Sequence, residues 1–161
     1  MSTDAGKHTY LRSAAPDDVS AIVTLVNSAF EVERFFKDGD RTNADQVKQM
    51  MAEGTFLLLS DGDSLLACVY VTLNGERAYI GLLAVEPAGQ KKGIGKRMMR
   101  EAESYARAAG SKFADLRTVD LRTELLPIYR SLGYVETGTE SADVIPNLKL
   151  PVHFVRMSKT L

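Results

Sequence analysis

The chain has 161 residues, of which 45% are hydrophobic and 25% charged, with a formal net charge of −1. This composition predicts one globular domain with a real core, and the near-neutral charge gives no overall field that attracts nucleic acid or an anionic membrane. The single cysteine, Cys68, excludes an internal disulfide and a cysteine-based zinc site. The polar N-terminus lacks the apolar segment of a secretion signal, and no apolar run approaches the ~20 residues of a membrane span. We therefore expect a cytoplasmic protein.

Hydrophobic periodicity in the first half of the chain predicts two helices followed by a run of strands. Pro16-Asp17-Asp18 predicts a helix start, because proline suits the first turn and acids suit the positive end of the helix dipole. Asn43 with Gln46 has the pattern of a capping box. The predicted elements are a flexible tail at 1–8, a strand at Thr9–Ala14, a helix from Pro16 to Phe30, a helix from Asn43 to about Glu53, and strands at Phe56–Leu59, Leu65–Leu73 and Ala78–Val85.

The second half of the chain predicts a crossover and a closing hairpin. Tight turns at Asp61-Gly62-Asp63 and Asn74-Gly75 make the preceding strands an antiparallel meander. A helix ending at Gly110 then leads to a strand at Phe113–Val119, which the crossover makes parallel to the last meander strand. The remaining predicted elements are a helix over Thr123–Leu132 and strands at Tyr134–Glu140 and Val152–Ser158. The predicted fold class is α/β (α+β): a single mixed, mostly antiparallel sheet flanked by helices, in one domain over 1–161.

The stretch Gln90-Lys91-Lys92-Gly93-Ile94-Gly95 lies at the mouth of the crossover helix and has three interpretations. The first is a tight strand-to-helix turn that only needs glycine backbone angles. The second is a nucleotide loop, but Arg97 stands where a P-loop needs serine or threonine, and Met98 stands where a dinucleotide loop needs its third glycine. The third is a pyrophosphate cradle of another kind, in which glycines let backbone N–H groups approach an anion at the helix N-terminus.

The charge around Gln90–Gly95 favours the third interpretation, a pyrophosphate cradle. Five cations and no acid lie between Gln90 and Arg100, although a helix dipole disfavours cations at this end by a few tenths to ~1 kcal/mol each. The alternative is a solvated basic face. The cations are Lys91, Lys92, Lys96, Arg97 and Arg100. The helix itself has a predicted buried stripe of Ile94, Met98, Ala102, Tyr105, Ala106 and Ala109.

Two motifs now carry a family resemblance. Gln90–Gly95 matches the pattern Gln/Arg-x-x-Gly-x-Gly/Ala, and Tyr129-Arg130-Ser131-Leu132-Gly133-Tyr134 matches Tyr-x-x-x-Gly-Phe/Tyr, with a strand between them. From about Leu11 to Leu161 the chain thus resembles the GNAT superfamily of acetyl-CoA-dependent N-acetyltransferases. The resemblance implies acetyl-CoA as donor, no metal, and a small-molecule or peptide amine as acceptor. It implies neither a nucleic-acid nor a membrane partner, and it is compatible with a homodimer.

The resemblance also implies roles for particular residues. Tyr129 would protonate the departing thiolate, and a free N–H near Leu83 would polarise the acetyl carbonyl. Main-chain groups of one strand end would meet the pantetheine, and those of the loop would hold the CoA pyrophosphate. The implied cofactor-binding residues are Leu83, Ala84, Val85, Gln90, Lys91, Lys92, Gly93, Ile94, Gly95 and Lys96.

Two positions depart from the family pattern. Arg122 stands where the family often has asparagine, and it either touches CoA phosphates or lies on the surface. Pro127 falls inside the predicted helix, which must then start late or bend. If both positions matched the family pattern, Tyr129 would have the usual family geometry. The alternative to a catalytic role for Tyr129 is that it is a core aromatic on an amphipathic helix.

Other candidates are weaker. The general base is one of Glu31, Glu33 and Glu86, or a water chain, and each acid is otherwise a surface charge. His8 and His153 have no metal-ligand spacing; His153 either lines an acceptor pocket or is a plain strand residue. Cys68 is expected to be a small buried hydrophobe.

The acceptor is expected between the first two helices and the last hairpin loop. One side comprises Phe30, Glu31, Glu33, Phe35, Phe36 and Arg41, and the other Ser141–Pro151. This mixture of aromatics and both charge signs selects no class of amine. The predicted function is acetyl transfer by direct attack of the amine in a ternary complex. A non-catalytic acyl-CoA-binding or sensing module and a protein-interaction domain with a structural glycine turn remain alternatives.

Overall fold

Strands and helices alternate along the computed structural model, which describes residues 9–90 and 92–161. The predicted tail at 1–8 and the predicted ligand residue Lys91 lie outside the described residues. The strands are β1 Thr9–Ser13, β2 Thr55–Asp61, β3 Ser64–Asn74, β4 Arg77–Val85, β5 Phe113–Val119, β6 Val135–Ser141 and β7 His153–Thr160. The α-helices are α1 Val19–Ala29, α2 Ala44–Glu53, α3 Ile94–Ala108 and α4 Leu125–Ser131, and a 3₁₀ segment, Phe30–Phe35, follows α1.

All seven strands belong to one sheet with the order β1-β2-β3-β4-β5-β7-β6. Neighbouring strands are antiparallel except β4 and β5, which are parallel because the crossover through α3 returns the chain to the same end of the sheet. The mixed, mostly antiparallel sheet flanked by helices is therefore confirmed as the fold class.

Helices cover the sheet on both faces, and each face has its own core. On one face α3 packs Met98, Met99 and Ala102 onto side chains of β2 to β5 and β7. On the other face α1 packs Ile22 and Val26 onto β2 to β4. Over the far half of this second face, Phe36 packs with Val119 of β5 and Phe154 of β7.

Three local predictions need correction. α4 begins at Leu125 rather than Thr123, which places Pro127 in the first turn, where its missing N–H removes no helical bond. On α3, Ala109 is exposed, and Met99 and Glu103 are buried instead. Glu103 tolerates burial because it accepts hydrogen bonds from two side chains described below.

The cap of α2 forms only half of the predicted capping box. Asn43 Oδ1 accepts the Gln46 N–H at 2.9 Å, as expected. The Gln46 side chain does not return to Asn43 but accepts from the Thr42 hydroxyl at 3.0 Å. Separately, none of the helices in the described part of the chain is long and apolar enough to cross a membrane.

Candidate active site

A gap opens between β4 and β5 in the middle of the sheet. The two strands pair only where Arg77–Tyr79 lies beside Phe113–Asp115. Arg77 donates two hydrogen bonds of 2.7 Å to Asp115 at this closed end. Beyond Tyr79, among the described residues, β4 pairs with β3 on one side of the gap and β5 pairs with β7 on the other side.

A β-bulge lies on β4 at the edge of the gap. Cys68 of β3 pairs with Ala84 and Tyr70 pairs with Gly81, so Leu82 and Leu83 together oppose a single β3 residue. Leu82 has φ +44, a left-handed conformation that is uncommon for a residue with a side chain. Such strained positions cluster at binding and catalytic sites, because the surrounding structure must hold them in place.

The end of β4 presents backbone groups to the gap. Glu86 N–H bonds to Leu66 of β3 at 2.8 Å. In an antiparallel ladder, successive residues point alternately to the two sides, so the Val85 N–H points away from β3 and into the gap. The Val85 carbonyl accepts from the Gln90 side-chain amide at 3.0 Å, which ties the glycine loop to the strand end.

The N-terminus of α3 is open and has unpaired donors. Gly93 precedes the helix at φ +80, and no heavy atom outside its chain neighbours would lie within 4 Å of a Cβ there. Arg97 N–H bonds to the Gly93 carbonyl at 3.0 Å, but no described residue accepts from the backbone N–H groups of 94–96. A Cβ at Gly95 would lie 3.9 Å from the Leu83 and Val85 side chains, so this turn adjoins the bulge.

The cations at this helix start are also unpaired. Lys92 and Lys96 are exposed and Arg97 is half-buried. None of the three has a carboxylate within 4 Å among residues 9–90 and 92–161. Donors, helix dipole and free cations therefore converge on one small surface, which is the arrangement that binds a phosphate group.

Tyr129, the predicted proton donor, lies on α4. Its ring packs against the core on the α3 side of the sheet and lies 6.1 Å, edge to face, from the buried ring of Tyr134. Its hydroxyl has no hydrogen-bond partner among the described residues. Burial raises the pKa of Tyr129 to about 12, so the phenol holds its proton at neutral pH.

The family whose description is acetyltransferase (GNAT) family matches residues 20–134, more than half of the chain. The chain belongs to the GNAT acetyltransferase family.

Individual relatives agree with this membership. Streptothricin acetyltransferase of Streptomyces lavendulae is 28% identical over 169 aligned residues, which cover 88% of this chain and 89% of the relative. The solved ribosomal-protein-S18-alanine N-acetyltransferase of Escherichia coli has a TM-score of 0.77 at 14% identity, covering 94% and 93% of the two chains. A GNAT family acetyltransferase from Elizabethkingia anophelis with acetyl-CoA bound has a TM-score of 0.74 at 15% identity, covering 96% and 99%. These two structures share the fold.

In this GNAT acetyltransferase a buried polar network supports the ring beside Tyr129. The Tyr134 hydroxyl donates to Glu103 at 2.8 Å, and the Lys159 ammonium donates to the other Glu103 oxygen at 2.8 Å. The network joins α3, the start of the last hairpin and β7. Sequence reasoning missed it because its three members are far apart along the chain and Glu103 lies on an ordinary helix.

Arg122 forms a second link that the sequence did not reveal. It donates to Glu33 at 2.8 Å and to Glu124, the residue before α4, at 2.7 Å. Its side chain is only 14% exposed, so the interpretation of Arg122 as a surface residue is wrong. The guanidinium already binds two carboxylates of the protein, and neither occupies the place of a CoA phosphate. Arg122 thereby connects the segment after α1 to the helix that carries Tyr129.

The three candidate bases lie in different environments. Glu31 is exposed and bonded to Arg34 at 2.5 Å. Glu33 is buried, 6% exposed, and is the acid that Arg122 holds near the site. Glu86 is half-buried just after the end of β4.

Cys68 and His153 are the remaining candidates for chemistry. Cys68 is fully buried, burial raises its thiol pKa to about 12, and its sulfur donates to the Leu82 carbonyl at 3.7 Å. Its prediction as a small buried hydrophobe is confirmed. His153 is exposed, with Nδ1 3.8 Å from Asp120. No group of three potential metal ligands occurs among the described residues.

The two segments expected around the acceptor contact each other directly. Lys149 N–H donates to the Phe36 carbonyl at 2.7 Å, and Asp38 N–H donates to Asn147 at 3.0 Å. Phe36 is fully buried against Ala142 within the loop and Val152 directly after it. The contacts lie on the face of the sheet opposite α3.

One recess of the described surface lies elsewhere. It has a volume of about 510 Å³ and is lined by residues such as Arg77, Phe113 and Val135. These residues lie at the closed end, where β4 and β5 still pair, so this recess is separate from the bulge and the glycine loop.

Proposed function

We propose that this protein transfers the acetyl group of acetyl-CoA to a primary amine by direct attack within a ternary complex. The observation that carries the proposal is the unpaired N-terminus of α3, which adjoins the β4 bulge beside the gap in the sheet. Family membership supports acetyl transfer as the reaction. The named relatives act, by their names, on streptothricin and on a ribosomal-protein alanine, and the second name specifies transfer to nitrogen.

The residues present fit a CoA thioester. The N–H groups of 94–96 and the open space at Gly93 suit a pyrophosphate. Lys92 and Lys96 add unpaired positive charge, and the predicted Lys91 would add more. The Gln90 N–H is already engaged by Pro87 at 3.3 Å, so Gln90 serves by tying the loop to Val85.

Both strands that border the gap have polar groups that a ligand could bind. Leu83, Ala84 and Val85 form the β4 edge that would meet the pantetheine like an added strand. Across the gap, the buried Thr118 hydroxyl of β5 has no hydrogen-bond partner among the described residues. A buried unpaired hydroxyl costs about 1–3 kcal/mol, which a bound polar group would offset.

When bound, acetyl-CoA supplies an acetyl carbonyl activated as a thioester. The bulge at Leu82 and Leu83 interrupts the β4 ladder beside the gap, where a backbone N–H freed from pairing would stabilise charge on the carbonyl oxygen. Tyr129 holds a proton at its hydroxyl and would donate it to the departing thiolate.

The transfer forms a bond between the amine nitrogen and the acetyl carbon and breaks the carbon–sulfur bond. The amine proton passes to water, and Tyr129 regains its proton from solvent. No covalent enzyme intermediate is needed, since the one cysteine is buried with its pKa raised. The partly buried Tyr129 hydroxyl, free of bonds among the described residues, favours the enzyme over a non-catalytic binding module.

The first test is calorimetric titration of the purified protein with acetyl-CoA, with ATP and NAD as controls. We expect saturable binding of acetyl-CoA alone. Thiol release in the presence of an amine library then separates an enzyme from a binding module, since only an enzyme releases CoA faster with an amine. No binding of acetyl-CoA would contradict the proposal and favour a structural glycine turn. A homodimer stays a prediction.

A further inference from the structure

Two buried side-chain hydroxyls have no hydrogen-bond partner among the described residues, those of Ser111 and Thr118. Each residue is only 6% exposed. Ser111 lies in the turn between α3 and β5, and Thr118 is the residue before the last in β5. A buried hydroxyl without a partner has lost its hydration and gained nothing in return, so each of the two costs free energy in the folded protein.

The Thr118 side chain lies on the face of the sheet that α3 covers. Successive strand residues point to opposite faces, and Ala114 and Leu116 of the same strand both belong to the core beneath α3. The residue opposite Thr118 on β7 is Val155, which belongs to that core as well. Residues directly opposite each other share a face of the sheet. Thr118 therefore lies on the face against which Tyr129 packs.

Across the gap, Thr118 lies level with the β4 bulge. The last parallel pair joins Tyr79 to Asp115. Leu82 and Thr118 each follow that pair by three residues, which is about 10 Å along either strand. The bulge changes the alternation of β4, so that Leu82 packs on the face opposite α3 and Leu83 packs on the α3 face. Leu83 and Thr118 thus border the gap from opposite strands on the same face.

Ser111 differs from Thr118 in having no gap beside it. It lies at the closed end, where the next two residues, Lys112 and Phe113, both donate their backbone N–H groups to the Glu76 carbonyl at 2.7 and 3.1 Å. Seven residues separate the two hydroxyls, which is roughly 20 Å along an extended chain. A ligand bound in the gap beside the bulge would therefore reach the Thr118 hydroxyl and not the Ser111 hydroxyl.

We infer that Thr118 is a donor-binding residue, whose hydroxyl forms a hydrogen bond with the acyl-pantetheine arm of acetyl-CoA. The inference rests on the proposed function. A threonine hydroxyl both donates and accepts hydrogen bonds, and this arm has amide groups and a thioester carbonyl. Thr118 would hold the arm from β5, opposite the β4 edge. The next residue, Val119, points to the other face and packs there with Phe36.

The inference gives Thr118 an unusual combination of effects on stability and affinity. Without a ligand, its hydroxyl is buried and unpaired, so its removal should not destabilise the protein. With acetyl-CoA bound, the same hydroxyl has a partner, so its removal should weaken binding. A hydroxyl with a structural role would show the opposite effect on stability, because its removal would break a bond within the folded protein.

The test measures both properties in three variants. Thr118→Val replaces the hydroxyl by a methyl group of similar size, and Thr118→Ser keeps the hydroxyl and removes the methyl group. Ser111→Ala is the matched control, because it removes the other buried and unpaired hydroxyl, at the closed end. Urea unfolding without ligand gives the stability of each variant. Titration calorimetry gives its Kd for acetyl-CoA.

We expect Thr118→Val to bind acetyl-CoA about tenfold more weakly than the native protein, with a urea midpoint equal to or above the native value. Thr118→Ser should bind acetyl-CoA within about threefold of the native Kd, because its hydroxyl is retained. Ser111→Ala should keep the native Kd, also with a urea midpoint equal to or above the native value.

Three results would overturn the inference. The first is a native Kd in Thr118→Val. The second is a lower urea midpoint in Thr118→Val, or a failure of that variant to fold, since the hydroxyl then has a partner inside the protein, such as a buried water. The third is an equal loss of affinity in Ser111→Ala, since the loss then does not depend on the gap.

These results are distinguishable from failure of the proposed function. If the native protein and Thr118→Val bind acetyl-CoA equally well, the proposed donor stands and only the role of Thr118 is wrong. If the native protein binds no acetyl-CoA, both proposals are contradicted.

Discussion

The two sides of the gap between β4 and β5 are built in different ways. The proposed donor side, comprising the β4 bulge and the loop into α3, consists of residues within about fifteen positions of each other along the chain. Its properties are local: glycine backbone angles, a helix N-terminus and neighbouring cations. The acceptor side joins the segment after α1, β5, the start of α4 and the last hairpin loop. Its central ion pair, Glu33–Arg122, spans 89 positions.

This difference explains why the residues proposed to bind the acetyl donor and those proposed to select the acceptor belong to different parts of the molecule. A site made of consecutive residues keeps its geometry as long as its own turn forms. A site made of distant side chains changes whenever one partner changes, because its charge balance depends on which residues pair. The donor side therefore suits a ligand common to a family, and the acceptor side suits a ligand peculiar to one member.

The largest effect should come from filling the donor side. Gly93→Glu combined with Gly95→Glu adds two negative charges where the free N–H groups and the cations converge, and it forces a side chain into φ +80. We expect the Kd for acetyl-CoA to rise roughly thousandfold, since several charge-assisted hydrogen bonds are lost. Titration calorimetry measures the change.

Gly110→Glu is the control for that variant. Gly110 lies at the other end of α3, at φ +98 with open space around it, so it has the same backbone cost without a ligand. Its acetyl-CoA affinity should match the native value. Equal affinities in the glutamate double variant and the native protein would refute the pyrophosphate assignment.

A substitution at Tyr129 tests the proposed proton donor. Tyr129→Phe should lower kcat about a hundredfold while the acetyl-CoA Kd changes less than twofold, because only the acidic proton is removed. Since the pKa of Tyr129 is raised to about 12, its protonated form persists at all lower pH. In the native protein kcat/KM for the acceptor should rise as the amine deprotonates, with no fall due to Tyr129 below about pH 12.

Tyr105→Phe is the matched control for this prediction, because the Tyr105 hydroxyl bonds to Thr55 on β2, away from the gap. Its turnover should stay near the native value. Full turnover in Tyr129→Phe would show that the reaction needs no acid at this position.

The Glu33–Arg122 pair tests whether tertiary pairing holds the acceptor side together. A double-mutant cycle with Glu33→Gln and Arg122→Gln should give a coupling free energy of about 2 kcal/mol in urea unfolding, since both side chains are largely buried. The same cycle on Glu31 and Arg34, whose side chains are 55% and 47% exposed, should give less than about 0.5 kcal/mol. Similar values for the two pairs would mean that the buried link has no special role.

Much of the fold followed from the pattern of residues along the chain. Phe113–Val119 was predicted with the bounds that it has, because apolar alternation and flanking turns are short-range signals. The start of α4 was misplaced by two residues, although Pro127 had already indicated that this helix starts late or bends. Glu103 was missed as a buried residue because its partners Tyr134 and Lys159 come from other elements.

The sequence by itself determined the order of the elements, the class of the sheet and the glycine loop at the start of α3, since each depends on residues near one another in the chain. It contained all the charges of the acceptor side but not their pairing. Only the tertiary structure decided that Arg122 neutralises Glu33, that β4 and β5 part beyond Tyr79, and that the Thr118 hydroxyl is left without a hydrogen-bond partner among the described residues. The physical reason is that electrostatic pairing acts over a few ångströms in space, and distances in space between distant residues are set only when the chain has folded.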